Sequence, residues 1–88
     1  MSTAKFRLGQ IFMTPGASKL DRNHVTEALK RHVSGDFGEV SDIDQEINEE
    51  AVKTGDRILS AYISNGVRFW IITEAGREIT TILLPEEY

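Results

Sequence analysis

At 88 residues without a cysteine, the chain has room for one small domain and none for disulfide staples, cysteine–zinc sites or a thiol nucleophile. Its 40% hydrophobic and 27% charged residues describe a globular chain, too apolar for disorder. The net charge of -4 is unevenly divided: residues 1–35 carry six lysines and arginines against two acids, residues 36–88 four against twelve.

No apolar run approaches the roughly 20 residues that span a bilayer. Arg7, Gly9 and Gln10 interrupt the start as a signal-peptide core. The expectation is one compact domain over residues 1–88, in the cytoplasm.

Taken in order, residues 6–13, "FRLGQIFM", read as a first strand, with Phe6 and Leu8 alternating against Arg7 and Gly9 marking a bulge. "TPGAS" breaks it, and Pro15 suits the first turn of a short helix capped by Thr14. Asn23 is the cap expected for the next helix, whose Val25, Ala28, Leu29, His32 and Val33 form one apolar stripe ending at Gly35. A third helix begins at Ser41, places Asp42 and Asp44 in its first turn and Lys53 in its last, and stops at Gly55. Ile43, Ile47 and Ala51 are its expected inner face.

Then the texture changes. "RILSAYIS", "VRFWIITE" and "EITTILLP" alternate and favour strands, and Asn65-Gly66 between the first two is a strong hairpin signal. Pro85 ends the last strand. The fold class is α+β: an N-terminal strand and two to three short helices on a C-terminal three- to four-stranded antiparallel sheet.

Several stretches resemble chemical motifs. Asp36-Phe37-Gly38 is a magnesium-binding tripeptide in kinases, but the chain is too short and lacks the strand lysine and catalytic loop. It reads as a joint between helices, with Asp36 bonding nearby amides and Phe37 plugging the core. Asp42, Asp44 and Glu46 mimic a calcium loop whose sixth and twelfth positions would be Ile47 and Lys53, which fails twice. His24 and His32 lie about 12 Å apart along a helix and cannot share a metal unaided. No cofactor or metal is expected.

His32 beside Arg31 could act as general acid or base in a metal-free ribonuclease. Ser60, Tyr62, Thr73 and Thr80 would then meet a phosphate, with Arg57, Arg68 or Arg77 to neutralise it. A structural histidine is the simpler reading, and Trp70 in "FWII" reads as core.

The order Arg31-His32, Gly35 to Gly38 as "GDFG", Trp70 to Arg77 as "WIITEAGR", and the closing "TTILLPEEY" resembles a group of short bacterial proteins from plasmids and other mobile elements. Members usually have tryptophan where Phe37 stands, and often aspartate where Gly76 stands. That resemblance implies a small accessory protein that blocks a host defence complex by occupying a basic surface. The acidic run fits in sign: Asp36, Glu39, Asp42, Asp44, Glu46, Glu49 and Glu50 are expected to bind a basic protein partner. No membrane is expected, and nucleic acid only under the ribonuclease reading centred on His32, Arg31, Thr73 and Thr80. A homodimer, paired through exposed edges of the meander, is the third reading.

Overall fold

The structure, a computed structural model, describes residues 4–88. Four strands form one sheet in the order β1-β4-β3-β2, where β1 is Gln10–Met13, β2 Ile58–Ser64, β3 Val67–Thr73 and β4 Ile79–Leu83. Two helices accompany it, α1 at Arg22–Val33 and α2 at Asp42–Thr54. The α+β expectation holds, with one correction to the all-antiparallel sheet. β2, β3 and β4 form the antiparallel meander, but β1 joins β4 in parallel, Gln10 opposite Ile79 and Met13 opposite Ile82. The intervening helices and hairpin bring the chain back to the same end of the sheet, so β1 enters alongside β4.

The hairpin forms for a local reason. Asn65 and Gly66 both take positive φ, 50° and 81°, the turn whose twist matches paired strands. The first strand is shorter than expected. Gly9 turns the backbone with φ 65°, and the Lys5 N–H donates to the Val33 carbonyl at 2.7 Å, so residues 5–8 leave the sheet for the end of α1.

α1 is capped by Asp21 rather than Asn23. The Asp21 carboxylate accepts from the Asn23 N–H at 2.8 Å and the His24 N–H at 3.4 Å, so Asn23 already lies within the helix. Thr14 accepts from the Ala17 N–H at 3.3 Å, but the short 3-10 turn at Ala17–Lys19 has Gly16, not Thr14, at its N-cap. Ser41 and Gly55 bound α2 as expected, Gly55 at φ 85°.

α1 lays Val25 and Ala28 on Tyr62, Phe69, Ile71 and Ile82 of the sheet. A second cluster gathers Phe37, Ala51 and Ile58 under α2, with Phe6, Val40 and Val52 against it. Trp70 is not core. It alternates with Phe69 and Ile71, faces away from the helices, and lies half-buried edge-on to Tyr88, ring centres 5.6 Å apart. No described helix is long and apolar enough to cross a membrane.

Candidate functional site

His32 lies where the two clusters meet and is fully buried. The Phe6 ring stands edge-on to its imidazole at 5.1 Å and the Phe37 ring at 6.3 Å. Its ring nitrogens reach two strands: Nδ1 is 2.5 Å from Ser60 Oγ on β2, and Nε2 is 2.8 Å from Thr73 Oγ1 on β3. Thr73 Oγ1 is in turn 2.8 Å from Thr80 Oγ1 on β4, and Thr80 donates to the Leu8 carbonyl at 2.7 Å.

That carbonyl fixes the direction of the whole chain. It can only accept, so Thr80 spends its proton there and accepts from Thr73. Thr73 must therefore accept from Nε2–H, leaving Nδ1 to accept from Ser60. One neutral tautomer satisfies every link. Burial, helped by the nearby Arg77 cation, pulls the His32 pKa from its ordinary 6.5 to about 3, which keeps the ring neutral. A general base must reach a substrate proton. This imidazole has no exposure, and both nitrogens are occupied.

The rest of the ribonuclease constellation is dispersed. Arg31 turns outward to pair with Asp36 at 2.8 Å, its guanidinium 4.9 Å from the centre of the Tyr62 ring. Arg57 pairs with Glu74 at 3.5 Å and donates to the Tyr88 hydroxyl. Arg77 donates to the carbonyls of Ala51 at 2.7 Å and Asp56 at 2.5 Å, tying the β3–β4 turn to the end of α2. Of that set, Ser60, Thr73 and Thr80 stand with His32, as links of a structural network.

The Asp36-Phe37-Gly38 joint is as expected. Asp36 accepts from the Gly38 N–H at 3.2 Å, and its own carbonyl accepts from the Tyr62 hydroxyl at 2.7 Å. The Arg31 hydrogen bond holds the Asp36 carboxyl below the usual range. Phe37 is buried in the second cluster. A Cβ at Gly38, which has φ 73°, would fall 2.1 Å from the Ala61 carbonyl oxygen, so this position needs glycine. Among the described residues, no three His, Asp or Glu side chains gather to hold a metal ion.

The closeness of Gly38 to Ala61 reflects a larger arrangement along the free edge of β2. The Ala61 N–H donates to the Phe37 carbonyl at 3.1 Å, and the Glu39 N–H donates to the Ala61 carbonyl at 2.7 Å. Two residues earlier, the Asn48 amide of α2 donates to the Leu59 carbonyl at 2.8 Å and accepts the Leu59 N–H at 3.3 Å. Joint and asparagine together occupy the ladder positions of a missing strand.

Facing Asn48 inward rotates α2 away from the expected stripe. Its buried residues are Asn48 and Ala51, while Ile43 is 69% exposed and Ile47 57%. The rotation is less than one residue of helix, since Ala51 of the expected stripe stays buried. Ile43 and Ile47 therefore share the outward face with Glu46 and Glu50. Asp42 and Asp44 lie in the exposed first turn, and Glu49 accepts from Gln45 at 3.0 Å on one flank. Asp36 is occupied by Arg31, and Glu39 is an exposed residue of the edge-capping joint.

Three parts of this arrangement escape sequence reasoning: Asn48 as an edge cap, Arg77 as a tie to α2, and the outward turn of the two isoleucines. The one available signal was Asn48 itself, a polar residue three before Ala51 on the inner side of the helix. No protein-family model matches the chain, and neither a curated protein nor a solved structure matches it.

Proposed function

We propose that this chain is a non-enzymatic binding protein that docks the outward face of α2 on a basic surface of another protein. The observation that carries the reading is the pair of isoleucines, Ile43 and Ile47, more than half exposed one helical turn apart and flanked by Glu46 and Glu50. Exposed isoleucines bring no benefit to a solvated helix. The acids add none either, since Asp42–Glu46 and Glu46–Glu50 are like-charged at four-residue spacing. A partner surface of lysines and arginines around an apolar dent would use both. Carboxylates would speed capture, and the isoleucines, desolvated on contact, would set the lifetime.

The resemblance to mobile-element proteins supports one kind of partner, a host defence protein whose nucleic-acid surface this helix would occupy. The test is capture of the partner from the native host, followed by kinetics with two double variants. Glu46→Lys/Glu50→Lys should slow association at least tenfold and flatten its salt dependence. Ile43→Gln/Ile47→Gln should mainly raise the dissociation rate. A captured protein indifferent to both variants would sink the reading. RNA cleavage that disappears in His32→Gln would point to the ribonuclease instead.

A further inference from the structure

The two edges of the sheet are treated differently. β2's edge is closed by Asn48 and the Phe37–Glu39 joint, whereas β1, at the other end, has a neighbour on one side alone among the described residues. On its inner side the Gln10 N–H donates to Glu78 and the Thr14 N–H to Ile82. A parallel ladder uses alternate residues, so Ile11 and Met13 turn their N–H and C=O groups outward. The side chains are bare as well. Ile11 is 47% exposed, Phe12 50% and Met13 44%, with Ile79 of β4 beside them at 41%. Native edges are ordinarily blunted by a charge, a proline or a bulge. β1, "QIFM", has none.

We propose that the β1 edge pairs with the β1 edge of a second copy, antiparallel about a two-fold axis at Phe12, to make one continuous eight-stranded sheet. The register follows from the backbone. In an antiparallel pair, doubly bonded positions alternate with unbonded ones. Setting Ile11 opposite Met13 of the second copy satisfies all the outward groups of both residues on both chains. Phe12 then meets its own symmetry mate at the unbonded position, where side chains approach most closely and aromatic pairs are favourable. The isologous geometry closes after two copies.

Charge favours the same partner. β1 carries no ionisable residue, so two copies of an acidic protein meet there without like charges in contact. The exposed apolar area is on the order of 300–400 Å² per copy, well below the ~800 Å² per partner of a standard stable interface. The dimer is therefore a weak, concentration-dependent one.

Sedimentation from about 1 μM to about 500 μM tests this. Wild-type protein is expected to pass from monomer to dimer, with amide exchange at Ile11 and Met13 slowing as concentration rises. Phe12→Lys and Phe12→Glu should each remain monomeric, because each places like charges on the axis, and their equimolar mixture should recover the dimer. Met13→Pro, which removes an outward donor and leaves the β4 ladder intact, should also stay monomeric. Circular dichroism checks that each variant is folded. A wild-type chain that stays monomeric throughout overturns the proposal, as does dimerisation unaffected by Phe12→Lys. So do open-ended growth, Ile11 and Met13 amides already protected at the lowest concentration, and a chain that pairs this edge only with a different protein.

Discussion

His32 is tied to all of the sheet except β1 itself, through Ser60, Thr73 and Thr80, and its proton inventory couples stability to pH. Above pH 6.5 the ring is neutral in both the folded and unfolded chain. Between 6.5 and about 3 only the unfolded chain binds the proton, so stability falls as the pH falls through that window. From pH 7 to pH 5 the loss is about 2 kcal/mol, at ~1.4 kcal/mol for each unit well below 6.5. Urea unfolding at the two pH values measures it. His32→Gln should be less stable at pH 7 but should lose far less on going to pH 5. An equal loss in both proteins would show that other groups carry the dependence. The sequence made His32 conspicuous and left its role open. What decided it was three hydroxyls, 28 to 48 residues further along the chain, that only the sheet brings together.

At the scale of elements, α2 illustrates how a correct boundary can carry the wrong face. Its caps are local, Ser41 accepting from the Asp44 N–H at 3.1 Å and Gly55 turning with φ 85°, and local signals located both. Its orientation is not local. Turning Asn48 onto the β2 edge pairs both the N–H and the C=O of Leu59 and leaves Ile43 and Ile47 outward, where an unpaired buried backbone group would carry a desolvation cost. Asn48→Ala should therefore destabilise the protein by about 2 kcal/mol and speed amide exchange at Leu59, both read by denaturant titration and hydrogen exchange. A loss below about 0.5 kcal/mol would mean that water replaces the amide. β1 shows the complementary case: its strand character was legible, while its parallel pairing and bare edge were not.

Over the whole molecule, the C-terminal turn clamps the beginning of the fold. Glu87 accepts from the Thr14 hydroxyl and the Leu84 N–H through one oxygen and from the Gly16 N–H through the other, and these bonds hold its carboxyl below the usual range. Residues 14 and 87 thus meet across almost the entire chain. Glu87→Ala should raise amide exchange at Gly16 and Leu84 by roughly five- to tenfold, leaving His32 and its hydroxyl partners unchanged. The same increase should appear in wild-type protein as the pH drops below the ordinary range of a glutamate, where the carboxylate is neutralised. Exchange that is indifferent to the variant would show that the clamp is not maintained in solution.

By itself the sequence determined the α+β class, both ends of α2, the Asn65-Gly66 hairpin and the plug at Phe37. Each rests on propensities, caps and periodicities that act over a few residues. The tertiary structure alone decided the parallel placement of β1, the neutral sealed state of His32, the inward turn of Asn48 and the exposure of Ile43, Ile47 and Phe12. These depend on which backbone groups remain unpaired once the sheet has formed. A hydrogen-bond ledger between distant segments leaves no periodic trace in the chain, and it was that ledger that chose which faces would be buried and which left exposed.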